Sequence, residues 1–154
     1  MVMTGVVVGA GDRGYDAYAT LLLDEPELGR IVAVADPDEG RCQRFAERYS
    51  LSPADCYDGW DALFEQPAMA DYAIIATGDT HHVEPTLRAL AAGYHVLLEK
   101  PMALDEADCR RIVDAAAAAD RSVAVCHVYR HSHLFARLHE VIESGELGDV
   151  VTIQ

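Results

Sequence analysis

Short, almost unbroken apolar runs alternate along the chain with longer stretches whose apolar positions recur every three or four residues. The short runs, at 3–8, 31–35, 72–76, 95–98 and 123–127, are rich in Val, Ile and Leu. A strand with one wet face alternates apolar and polar residues, so runs without alternation predict strands buried on both faces of a parallel sheet. The stretches between them have helical period. Asp105 is the expected N-cap of a helix in which Cys109, Ile112, Val113 and Ala116 form one apolar stripe. The alanines at 115–119 favour that helix, and their small side chains let it lie close to a sheet. Trp60, Leu63 and Phe64 read as the packing face of a short helix, while Leu134, Leu138, Val141 and Ile142 mark a later one that Gly145 ends after Ser144. Strands alternating with helices predict βαβ units and an α/β fold with a doubly wound parallel sheet. The apolar residues at 150–154 read as the start of another strand, so one domain is expected over 1–148, with 149–154 opening a second.

Composition narrows the classes. A chain of 154 residues, 51% of them hydrophobic, can bury one real core and is no disordered tail. No apolar run approaches the roughly 20 residues of a membrane span, and the N-terminus lacks the basic and apolar segments of a signal peptide. Cys42, Cys56, Cys109 and Cys126 are scattered without metal-ligand spacing, which predicts buried thiols and a cytoplasmic protein. The net charge of −14, from 12 basic against 26 acidic side chains, argues against nucleic acid or an anionic membrane as partner. A bound anion would have to be held by local devices such as helix N-termini.

One such device follows the first apolar run. Gly9-Ala10-Gly11-Asp12-Arg13-Gly14 stands between a strand and a helical segment, the context that gives G-x-G-x-x-G its meaning. The first glycine permits a tight turn, the second lets backbone approach a pyrophosphate, and the third packs helix on strand. Asp36 ends the second run roughly 20 residues beyond Gly14, where a carboxylate can accept from both hydroxyls of an adenosine ribose and repel a 2′-phosphate. These residues point to a dinucleotide, and to NAD over NADP. Arg41 is the one nearby residue that could favour a 2′-phosphate, although its spacing suits a solvated helix face.

Two further motifs fall at strand ends: Ala76-Thr77-Gly78-Asp79-Thr80-His81-His82, and Glu99-Lys100-Pro101. Together with the glycine turn they resemble the glucose–fructose oxidoreductase/inositol dehydrogenase (Gfo/Idh/MocA) family over essentially the whole chain. Thr77 and His82 match the family's loop after the fourth strand, whereas Gly78 and Asp79 replace a proline and an asparagine. The resemblance implies that Thr77, Gly78 and His82 border the cofactor, His82 either by fixing the loop or by meeting the substrate. It implies Lys100 at the nicotinamide end as the catalytic residue, its ammonium stabilising the alkoxide that forms as hydride leaves. Glu99 would accept from the cofactor or orient Lys100, and Arg130 matches an arginine beyond the sixth strand. The turn at Pro101 leads us to expect a cis Lys100–Pro101 bond.

The family's members carry a second α/β domain that supplies most of the substrate pocket and a proton acceptor, and it commonly forms the subunit interface. The resemblance thus implies a sugar- or polyol-type substrate, a homo-oligomer when full length, and a chain that is only the cofactor-binding half. A stand-alone NAD-binding or sensing module is the alternative. His81, His82, His131 and His133 lack a further ligand at suggestive spacing, and no metal is expected.

Overall fold

The computed structural model describes residues 2–152. Six parallel strands form one sheet: β1 (Thr4–Val8), β2 (Arg30–Ala35), β3 (Cys56–Tyr57), β4 (Tyr72–Ile75), β5 (His95–Leu98) and β6 (Val123–Val125). Their order is β3-β2-β1-β4-β5-β6, that of the Rossmann fold. The five apolar runs all became strands. The sixth, β3, was missed because two residues carry no periodicity; its pairing with Val34 and Ala35 alone makes it a strand.

Both faces of the sheet are covered at β1, β2 and β4, as unbroken apolar runs require, but the run at 123–127 departs from that expectation: no residue of the edge strand β6 is buried and Ala124 is exposed. Val6 and Val8 of β1 join one core with Ala73 and Ile75, while Val7 and Ile74 join the other. Helices α1 (Ala19–Asp24) and α2 (Glu39–Tyr49) cover the second face, α2 through Cys42, Phe45 and Tyr49 at helical spacing. Helices α3 (Trp60–Phe64), α4 (Val83–Ala91) and α5 (Glu106–Ala119) cover the first. Because the connections after β1 and β4 leave toward opposite faces, a crevice opens at the carboxyl ends of these two strands.

Asp105 caps α5 as expected, accepting from the Asp108 N–H at 2.9 Å. The stripe needs a correction: Ile112 is fully buried, but Val113 is 57% exposed. The contact runs instead through Ala115, Ala116 and Ala119, whose small side chains narrow the covered face. Helix α6 (His133–Glu143) forms, and Gly145 follows it at φ +76°, the left-handed conformation of a C′ glycine. Leu134, Phe135 and Leu138 on α6 are exposed. The strand start expected at 150–154 is absent over 150–152, where Val151 is 90% exposed; Ile153 and Gln154 lie outside the described residues. All four cysteines are free; Cys42 is buried, and Cys56, Cys109 and Cys126 only partly so. No helix among the described residues is long and apolar enough to cross a membrane.

Candidate functional site

After β1 the chain turns at Gly9 with φ +97°, where a Cβ would also stand 2.6 Å from the Ala76 carbonyl oxygen. Conformation and close approach therefore both require glycine. A Cβ on Gly14 would run into the Gly9 carbonyl oxygen, so this position sets how tightly the helix meets the strand. Gly11 is different, for a Cβ there would meet nothing within 4 Å. No contact among the described residues demands glycine at 11. The space a side chain would fill is the floor of a cleft of about 400 Å³, open to a phosphate approaching backbone. The residues present therefore fit a dinucleotide.

The helix that leaves the turn begins as a π-helical segment, Arg13–Tyr18, before α1. Asp12 and Arg13 are exposed and line the cleft. At one end of the cleft stands Asp36, buried just past the end of β2. Its Oδ2 accepts from the Ala10 N–H at 2.8 Å and its Oδ1 from the Asp38 N–H at 2.9 Å. Asp36 thus ties the glycine turn to the start of α2. A carboxylate offers about four acceptor sites, so capacity remains for a ribose. Arg41 reaches the cleft as well, its Nη1 4.0 Å from Asp36 Oδ2 and its Nε 3.8 Å from Asp38 Oδ2. A larger hollow of about 620 Å³ lies between α2 and the segment around β3, but it contains none of the glycine turn.

Thr77 and Gly78 line the opposite wall of the cleft, past the end of β4. Gly78 has φ −67° and ψ 152°, a backbone that proline shares, which explains why the exchange costs the loop nothing. Asp79 is exposed to water and does not line the cleft. His81 lines it, whereas His82 is wholly buried. The His82 ring spans two carbonyl oxygens, with Nδ1 2.6 Å from that of Pro101 and Nε2 3.1 Å from that of Thr77. It staples the loop after β4 to the loop after β5.

Glu99 and Lys100 follow β5. The Lys100–Pro101 bond is cis. Lys100 is exposed, and its side chain forms no ion pair or hydrogen bond among the described residues. Adjacent strands stand about 4.8 Å apart, so the ends of β1 and β5, with β4 between them, are separated by about 10 Å. Glu99 is buried at 4% exposure and accepts from Arg13 Nε and the Tyr18 hydroxyl, each at 2.6 Å. Burial opposes its ionisation, but donations from Tyr18, Arg13 and the Lys100 N–H outweigh it and hold the carboxyl below its ordinary range. Arg130, in the 3-10 turn Val128–His131, is exposed and does not line the cleft. Sequence reasoning missed Trp60 and His81 as cleft residues and Tyr18 as a partner of Glu99; only the last has a signal, a tyrosine on the sheet-facing side of a helix that follows a glycine turn.

Comparison with known proteins accords with this geometry. Inositol 2-dehydrogenase of Salmonella typhimurium is 28% identical in an alignment that covers 99% of this chain and 45% of the relative. That of Pseudomonas fluorescens is 35% identical over 144 residues, 93% of this chain and 42% of the relative. The chain therefore spans less than half the length of these relatives. A 3-ketoreductase from Actinomadura kijaniata, solved with NADP, matches with a TM-score of 0.82 at 26% identity, over 97% of this chain and 46% of its own. The WlbA dehydrogenase from Bordetella pertussis, solved with NADH and UDP-GlcNAcA, shares the fold with a TM-score of 0.85 at 22% identity, over 96% of this chain and 44% of its own. The Gfo/Idh/MocA family, described as an oxidoreductase family with an NAD-binding Rossmann fold, matches residues 3–127. With its glycine turn, Asp36 and the Rossmann strand order, the chain belongs to the Gfo/Idh/MocA oxidoreductases as their NAD(P)-binding domain.

Proposed function

We propose that this chain is the cofactor-binding half of an NAD-dependent dehydrogenase that oxidises a sugar- or polyol-type hydroxyl. The observation that carries this reading is Gly11, a glycine that packing among the described residues does not need, on the floor of a cleft between Asp36 and the loop after β4. The N–H groups of the turn hold the diphosphate, and the remaining acceptor sites of Asp36 take the ribose hydroxyls. The nicotinamide, when bound, supplies the hydride acceptor. The ammonium of Lys100 stabilises negative charge on the substrate oxygen, an effect enlarged where water is excluded. Thr77 and Gly78 close the wall opposite Asp36, and His82 holds that wall by its staple to Pro101. We assign the proton acceptor and most of the substrate pocket to the part of the relatives' length that this chain does not span. The substrate class is inferred from the inositol dehydrogenases among the relatives.

Titration of the chain with NADH, followed by nicotinamide fluorescence, tests the reading. Saturable binding is expected, and it should be lost on replacing Gly11 with a bulky residue. No binding of either NADH or NADPH overturns it.

A further inference from the structure

Glu99 is more tightly engaged than a cofactor ligand needs to be. A nearly closed environment makes an unpaired carboxylate costly, and here every donor comes from the protein itself. Oε1 takes Arg13 Nε and the Tyr18 hydroxyl at 2.6 Å each, and Oε2 takes the backbone N–H of Lys100 at 2.8 Å. Burial pushes the Tyr18 phenol far up, with the neighbouring Cys126 thiol and Glu99 adding to the effect, so Tyr18 remains a donor.

The π-helical segment explains how one carboxylate oxygen meets both donors. Arg13 and Tyr18 are the first and last residues of that segment. On an α-helix of 3.6 residues per turn, residues five apart diverge by about 140°. In a π-turn the i→i+5 bond, made here by the Ala19 N–H to the Gly14 carbonyl, brings residues five apart nearly above one another. Arg13 also keeps both Nη atoms without a hydrogen bond among the described residues, on the wall of the cleft.

Lys100, by contrast, is fixed only through its backbone. Glu99 holds its N–H on one side, and His82 holds the Pro101 carbonyl on the other. We propose that Tyr18 and Arg13 are positioning residues for Lys100, acting through Glu99, so that a ligand seated on the glycine turn stiffens the backbone that carries the lysine. This rests on the dinucleotide reading above. It makes the π-segment the link between the phosphate end of the cleft and the catalytic end. Glu99 becomes a strut between them rather than a contact to the cofactor.

Backbone amide exchange at Glu99 and Lys100 tests the link, with ADP-ribose as the probe, because it occupies the glycine turn but has no nicotinamide to touch Lys100. In the wild-type chain saturating ADP-ribose should slow exchange at these two amides by about tenfold, and in Tyr18→Phe by less than about twofold at equal saturation. Arg13→Lys, which keeps charge but loses the Nε geometry, should fall between, and it serves if Tyr18→Phe fails to fold. Undiminished slowing in these variants overturns the proposal, as does a wild-type chain that binds ADP-ribose without slowing. If the wild type binds neither ADP-ribose nor NADH, the dinucleotide reading itself fails and the link falls with it.

Discussion

Arg41 Nη1 stands 4.0 Å from Asp36 Oδ2, close enough for attraction and too far for a hydrogen bond. The guanidinium is half exposed on the cleft wall, so it can swing toward a ligand while Asp36 stays fixed by the N–H groups of Ala10 and Asp38. Two opposed preferences thus meet at the adenosine end. Asp36 favours a free ribose diol, and Arg41 favours a phosphate on it. We expect NADH to bind more tightly than NADPH. Asp36→Ala should weaken NADH by about tenfold or more, the factor lost with a hydrogen bond to a charged acceptor, and narrow the gap. Arg41→Ala should widen it. Fluorescence titration with both cofactors measures this, and NADPH binding as tight as NADH in the wild type would refute the role given to Asp36.

The glycines of the turn should separate folding from binding. Gly11→Val meets empty space, so the thermal midpoint should hardly move while NADH binding is lost. Gly14→Ala forces a methyl group against the Gly9 carbonyl oxygen and the Val7 side chain. Overpacking of that kind costs about 1–3 kcal/mol, so denaturant midpoints should drop. A Gly11→Val chain that still binds NADH normally would remove the argument for the cleft floor.

Lys100 is best tested in a full-length enzyme that contains this domain. Lys100→Ala should leave the affinity for NAD nearly intact, because the turn and Asp36 hold the far end of the cofactor. On the proposed reading its charge acts on the oxygen that becomes negative as hydride leaves, so kcat should fall by roughly 10²–10³. Lys100→Arg should recover little, since a guanidinium is bulkier and keeps its proton. Unchanged kcat in Lys100→Ala would make the lysine structural.

Glu99 and Tyr18 predict opposite pH limits. The carboxyl of Glu99 is held below its ordinary value, so its contribution is present above the unfolded value near about 4.3 and is lost as pH falls through the lower folded one. The Tyr18 phenol is raised, so its contribution is complete below the unfolded value of about 10 and is lost as pH rises from there through the higher folded one. Glu99→Gln should flatten the acid side of a plot of melting temperature against pH, and Tyr18→Phe the alkaline side. Identical acid slopes for wild type and Glu99→Gln would show that the carboxyl is not held by its donors.

What the sequence could show follows from how each feature is encoded. Strands buried on both faces leave a run that reads directly, as at 72–76, whereas Cys56 and Tyr57 form a strand only because β2 offers free backbone groups beside them. Asp105 and Gly145 were legible because a cap is a local matter of one side chain or one dihedral angle. Val113 was not, since the width of a helix's covered face depends on the curvature of what it covers. In the site, Gly9, Gly11, Gly14 and Asp36 carry their chemistry in their spacing. Glu99 does not. Its side-chain partners lie more than 80 positions away and reach it through a π-turn that no periodicity announces.

The place of β1 in the middle of the sheet has a consequence for assembly. The Gly9 N–H bonds the Ala35 carbonyl, and the Ala76 N–H bonds the Val8 carbonyl, so the turn acquires its shape only when β2 and β4 have both docked on β1. The two flanking strands both follow β1 in the chain, with β3 and its connections between them, and their closure is a long-range event. A dinucleotide can therefore recognise only a chain in which these three strands have already joined. It acts as a selective ligand of the native state, adding about 2.7 kcal/mol at a free concentration one hundred times its Kd. In a cell the supply of cofactor would then set how much of this domain stays folded.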